Sequence, residues 1–314
     1  MSLGKGAEIV LKNCLAAKPG EKILIVTDTA KHNIGKALFE KAVEMELKAK
    51  IVVMKPTGAP GKEPPAMVAD EMKRYDIVVC PTQYSMTHTQ ARKSACDHGA
   101  RVATMPGITG EMFSQGALTA DYRQVAALSD RVAELLDQAD QVRIEKDGRI
   151  LTMSVQGRTG ISSRGLLHHS GSSGNFPSGE AYIAPLEDTA EGEMVIDGSV
   201  SGIGLLKAPL QVRIEKGQVV RLNGPDAECL EKILGQNQDN RNTGELGIGT
   251  NPKARLIGNV LEDEKVYGTV HIAFGSNITF GGVIEAGVHI DCIILMPRLY
   301  LDDRLVVENG SIII

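Results

Sequence analysis

Residues 22–54 read KILIVTDTAKHNIGKALFEKAVEMELKAKIVVM. Apolar runs stand at both ends, Ile23–Val26 and Ile51–Met54. Between them Ile34, Leu38, Ala42 and Met45 fall on one face of a helix, because residues three and four apart stack along successive turns. Strand, helix and strand in this order predict a parallel pair joined by a crossover helix. The alternation continues with a helix in PPAMVADEMKRY (64–75), a strand in DIVVCPT (76–82), a helix in THTQARKSACDHG (87–99) and a strand in RVATMPG (101–107). Near-continuous apolar strands separated by helices predict a parallel, Rossmann-like α/β sheet covered on both faces. No GxGxxG follows the first strand, so a dinucleotide site is not expected.

The texture changes after residue 117. LTADYRQVAALSDRVAELLDQAD (118–140) predicts one long amphipathic helix, with Thr119 as its N-cap. Beyond it the chain alternates apolar and polar residues as strands do. The hexamer QVRIEK occurs at Gln141–Lys146 and again at Gln211–Lys216, each time before a glycine turn that predicts a hairpin. The expected organisation is therefore an α/β domain over 1–117 and a mixed, mainly antiparallel α+β domain over 118–314. A chain of 314 residues is long enough for two cores.

Composition excludes several classes. A formal net charge of −5 and the lack of a basic stripe argue against a nucleic-acid partner. No apolar run approaches the ~18 residues that a membrane span requires, and the N-terminus lacks a signal core, so a cytoplasmic protein is expected. The five cysteines are scattered without a CxxC pair, which favours free thiols over a zinc knuckle or disulfides. Neither GxSxG, HExxH nor a P-loop occurs, and His168 and His169 read as loop residues.

The candidate chemistry lies in GTVHIAFGSNITFGGVIEAGVHID (268–291). His289 and Asp291, two apart on a strand, share a face and can present a nitrogen and an oxygen to one cation. His271, on an apolar strand, needs a partner of its own. Two satisfied core histidines and a turn aspartate would give the same pattern. Glu180 in GNFPSGEAYIAP and Glu245 in NTGELGIGTNP each follow a glycine and open an apolar stretch, where a carboxylate either caps a turn in water or faces a buried cation. EDEK (262–265) reads as a solvated charged turn.

NFPSGEAYIAP, GELGIGTNP, EDEK…GTVHIAFG and GVHID together resemble the aminopeptidase T family of thermophilic metalloaminopeptidases, over most of the second domain. The resemblance implies a hydrolase that removes N-terminal residues from small peptides, and a homodimer. It also implies two divalent ions, zinc, cobalt or manganese, on Glu180, Glu245, His271, His289 and Asp291. A metal-activated water would attack the peptide carbonyl, with Glu264 as general base or bridging ligand. One departure stands out: the family's site tyrosine is missing from GSNITFGG, where Ile278 lies near its place. The C-terminal region is also similar to the dihydroxypyridine dioxygenases, which implies an alternative. There His271, His289 and Asp291 would hold one ferrous ion as a facial triad. A metal-binding homologue without catalysis is a third possibility.

Overall fold

The computed structural model describes residues 2–314; Met1 lies outside the described residues. The chain divides into two compact units. The first runs to Gln124 and includes Gly165–Ser178; the second comprises Val125–Arg164 and Gly179–Ile314. The chain therefore returns once to the first unit, which a single division at residue 117 did not anticipate.

The first unit holds a five-stranded parallel sheet in the order Lys48–Met54, Lys22–Asp28, Ile77–Thr82, Arg101–Pro106, Ser173–Asn175. Its central strand Ile77–Thr82 is buried throughout, as the apolar run requires when helices cover both faces. The four expected strands and the intervening helices are present. The fifth strand comes from the Ser/Gly-rich stretch after His169, which carries no strand signal. It forms because the edge strand Arg101–Pro106 offers it a ladder, with Val102, Ala103 and Thr104 opposite Ser173, Gly174 and Asn175.

The long helix spans Tyr122–Gln138. Thr119 ends a preceding 3-10 turn and bonds back to Gly116 O, whereas Asp121 accepts the amide of Arg123 and takes the capping place expected of Thr119. From Val125 onward the helix belongs to the second unit, where Val132, Leu135 and Leu136 enter the core.

Two antiparallel sheets complete the second unit. One has eight strands and contains both QVRIEK hairpins. Their two-residue turns, Asp147-Gly148 and Lys216-Gly217, have positive φ at both positions, as a type I′ turn demands. The other has seven strands, ordered Gly204–Leu205, Ser199–Val200, His289–Ile294, Val270–Gly275, Thr243–Gly249, Glu180–Ile183, Ile161–Ser163. Ala181, Ile183, Leu246, Ile248, Val270, Ile272, Phe274, Ile290, Cys292 and Ile294 turn one face of this sheet into the common core. The fold is thus a parallel α/β unit and a mainly antiparallel unit with its own core. Among the described residues no helix is long and apolar enough to cross a membrane.

Candidate metal centre

The face of the seven-stranded sheet opposite that core carries the candidate site. Side chains alternate along a strand, so fixing the apolar set inward fixes Glu180 and Tyr182, Glu245 and Gly247, His271 and Ala273, and His289 and Asp291 outward. Register then aligns them across strands: Tyr182, Gly247 and His271 are neighbours in one row, Glu245, Ala273 and Asp291 in the next. Small residues leave room for rings and carboxylates. A Cβ added to Gly247 would lie 1.9 Å from His271 Nε2, so the imidazole occupies the space that any other residue there would fill.

The expected residues converge. His271 Nε2 is 3.3 Å from Glu245 Oε1 and 3.6 Å from Glu180 Oε2. His289 Nε2 is 3.4 Å from Glu245 Oε2 and 3.3 Å from Asp291 Oδ1. Donors about 2.1 Å from one cation stand roughly 3.0 Å apart at right angles and 3.4 Å at tetrahedral angles. The Glu245–His271, Glu245–His289 and Asp291–His289 spacings fall in that range. The tautomer of His289 fits as well: its Nδ1 lies 2.9 Å from the carbonyl of Ser276, to which it donates, leaving the Nε2 lone pair for a cation. Glu180 Oε2 and His271 Nδ1 are buried without a hydrogen-bond partner. Two oxygen-rich groups of donor atoms, Glu180, Glu264 and His271, and Glu245, His271 and Asp291, share His271; all but Glu264 are buried.

Without a cation the charges compensate one another. Burial lowers the proton affinity of both imidazoles, but hydrogen bonds and nearby carboxylates outweigh it: Glu245 raises His271, and Asp291 followed by Glu245 raises His289 well above its ordinary value. Burial conversely pushes the Glu245 and Asp291 carboxyls up, and the imidazoles hold both below their ordinary range. Ser201 supports Asp291 by donating its hydroxyl to Oδ2 (3.2 Å) while accepting the Asp291 amide (3.1 Å).

Three features escaped sequence reasoning. The first is Lys265. The EDEK turn, expected in water, is buried: Glu262, Asp263 and Lys265 are each 0% exposed. Glu262 pairs with Arg255, Asp263 accepts from Ser199 Oγ and the Ile257 amide, and Lys265 Nζ contacts Glu264 and lies 3.0 Å from Glu180 Oε1. Partners within the fold replace the water that the charge run seemed to need. The second is Tyr182, a phenol on the Glu180 strand. Burial first, then the charges of Glu245 and Glu180, hold its proton far more tightly than usual. Its signal was present in the sequence, since Tyr182 sits two residues after Glu180. The third is Phe280, whose ring meets Tyr182 and His289 edge-on at 5.6 and 5.7 Å. Its loop is pinned by Glu187, which pairs with Arg158 and accepts Asn277 Nδ2 and the Val283 amide, each at 2.9 Å. His168, by contrast, lies in the first unit with Nε2 2.9 Å from Asn13 O.

Comparisons with known proteins bear on what this cluster does. The family model for NicX, 2,5-dihydroxypyridine 5,6-dioxygenase, matches residues 5–314. A curated relative, the 2,5-dihydroxypyridine 5,6-dioxygenase of Pseudomonas putida KT2440, is 27% identical over 211 residues, covering 62% of this chain. The match spans 59% of that relative's length. Among solved structures, 2,5-dihydroxypyridine dioxygenase from Pseudomonas putida KT2440 aligns with a TM-score of 0.85 at 19% identity, covering 99% of this chain and 96% of the other. AmpT from Thermus thermophilus aligns with a TM-score of 0.73 at 17% identity, covering 99% of each. At such identities the structural likenesses speak to the fold alone.

These findings correct the expected hydrolase. The likeness to aminopeptidase T is one of fold, whereas family model and curated relative both point to a dioxygenase family. Peptide cleavage falls with that correction. Glu264 is engaged by Lys265.

Proposed function

We propose that this chain, which belongs to the NicX, 2,5-dihydroxypyridine 5,6-dioxygenase, family, opens a dihydroxylated pyridine or related aromatic ring with dioxygen at a single ferrous ion. The observation that carries the reading is the donor set. His271, His289 and Asp291, on adjacent strands, supply the two imidazoles and one carboxylate that a facial triad of non-haem iron uses. Glu245, within 3.4 Å of both imidazoles, would close the set. Bound there, ferrous iron would supply the one-electron chemistry that allows a closed-shell ring to react with triplet dioxygen.

The chain's own side chains have definable tasks. Ser201 fixes Asp291, and the Ser276 carbonyl fixes His289, so the donors are oriented in advance. Tyr182 keeps its proton at neutral pH, being held by burial and then by the Glu245 and Glu180 charges. It can therefore donate from its hydroxyl to a ring substituent. Phe280 offers an aromatic edge beside His289, a surface suited to a flat ring. Burial of Glu180, Glu245, His271 and Asp291 limits water around charges that develop as the ring opens, while His289 borders solvent.

The reading is tested by supplying 2,5-dihydroxypyridine and 18O-labelled dioxygen to the ferrous-loaded protein. Two labelled oxygen atoms in a ring-opened product are expected. A product with no label, or a ring left intact, contradicts it.

A further inference from the structure

The two donor groups that share His271 are not equivalent. Glu245, His271 and Asp291 converge with His289; outside this group Ser201 bonds Asp291, the Ser276 carbonyl accepts from His289, and Glu180 Oε2 stands 3.6 Å from His271 Nε2. Glu180 and Glu264, on the other side of His271, converge on the ammonium of Lys265. That lysine is 0% exposed, and a long cationic side chain is almost never wholly buried unless charges hold it there.

The backbone is shaped to bring it in. A Cβ on Gly249 would lie 2.0 Å from the carbonyl of Val266, so glycine at 249 lets the segment carrying Lys265 run against the site strand. The amide of Asn251 donates to the Lys265 carbonyl at 2.9 Å and fixes the approach. Charge agrees with position. Four carboxylates, Glu180, Glu245, Glu264 and Asp291, surround the shared imidazole. One ammonium and one divalent ion bring that set to within one unit of neutrality.

We infer that Lys265 Nζ serves as a built-in cation in the second half of a two-part pocket, so that the pocket accepts one divalent ion and would accept two if the ammonium were removed. Lys265 is thus a positioning residue: it engages Glu264 and Oε1 of Glu180 beside the ion that His271, His289 and Asp291 would bind. The inference rests on the proposed metal centre but not on the reaction performed there. It also gives Glu180 a fixed orientation, with Oε1 on the lysine and Oε2 turned towards His271 Nε2 at 3.6 Å.

The test is a count of ions. Chelator-stripped protein is equilibrated with excess Mn2+, freed of unbound metal and assayed for manganese per chain, with electron paramagnetic resonance on the same samples. The unsubstituted protein should hold one Mn2+ with the spectrum of an isolated ion. Lys265→Met should hold two, with the broadened spectrum of a coupled pair, because Glu180 and Glu264 lose their ammonium partner and become free to ligate. Glu264→Gln, a milder change at a partly exposed side chain, should stay at one. It decides the matter on its own if Lys265→Met does not fold, since loss of its ion would make Glu264 a ligand and overturn the inference. Two ions in the unsubstituted protein, or one in a folded Lys265→Met, would likewise overturn it. No ion in the unsubstituted protein but one in Lys265→Met would remove the His271, His289 and Asp291 centre while upholding the role of the lysine.

Discussion

Gly247 is where one missing side chain matters most. Its place in the row between Tyr182 and His271 leaves the imidazole lying over bare backbone. Gly247→Ala should push the ring aside and weaken Mn2+ binding by at least ~10-fold, about 1.4 kcal/mol, with far-ultraviolet circular dichroism unchanged. Unaltered affinity would mean that His271 is not a ligand. Ser201→Ala removes only an outer partner of Asp291 and should cost on the order of 10–100-fold in affinity; Asp291→Asn, losing a charged ligand, should cost more. Titration gives a further expectation. In metal-free protein the raised imidazoles stabilise the fold fully below the ordinary histidine value of about 6.5, and that contribution fades as pH rises through their folded values. The lowered carboxyls stabilise it above about 4, and that contribution is lost as pH falls through theirs. The cluster therefore favours the metal-free fold most between about pH 4.5 and 6.5. Mn2+ requires neutral imidazoles, so the stabilisation it adds should grow with pH. Urea midpoints with and without Mn2+ check both trends; a metal effect that shrinks from about pH 6 to about pH 8 contradicts the paired cluster.

At the scale of the element, four neighbouring strands each do two things at once. Ile272 faces the core while His271 and Ala273 face the site, and the same alternation runs through Leu246 and Gly247 and through Ile290 and Asp291. Ile272→Ala should therefore destabilise the second unit by about 2–5 kcal/mol while the folded protein keeps its metal content. A parallel loss of metal per folded chain would show that the two faces are not separable. This alternation is also why much was legible in the sequence. Period-two patterning exposed the HxD pair of His289 and Asp291, and the apolar neighbours of Glu180 and Glu245 marked both as acids on strands. What period alone cannot give is register. Lys265 and the EDEK turn are buried because Gly249 admits the segment and distant carboxylates wait for it, and nothing local distinguishes such a turn from a solvated one. The strand Ser173–Asn175 forms for a similar reason, its ladder being supplied by Arg101–Pro106.

Across the whole molecule, one architecture accommodates two chemistries. A dioxygenase and an aminopeptidase both align with nearly all of the chain, so the fold that the sequence predicted could not choose between them. NFPSGEAYIAP and GELGIGTNP, which resemble aminopeptidase T, contain the strands Glu180–Ile183 and Thr243–Gly249 of the site sheet. Two local features bear on the choice: the tyrosine missing near Ile278 and the lysine that contacts both Glu180 and Glu264. On the proposed reading they suit a pocket for one redox-active ion. The most direct measurement is an anaerobic titration of metal-free protein with Fe2+, each sample then given 2,5-dihydroxypyridine in an oxygen electrode. Oxygen uptake that rises linearly and stops at one iron per chain, with one dioxygen consumed per ring lost, is the predicted result. Uptake that needs two ions per chain, or no uptake at any loading, would contradict the account.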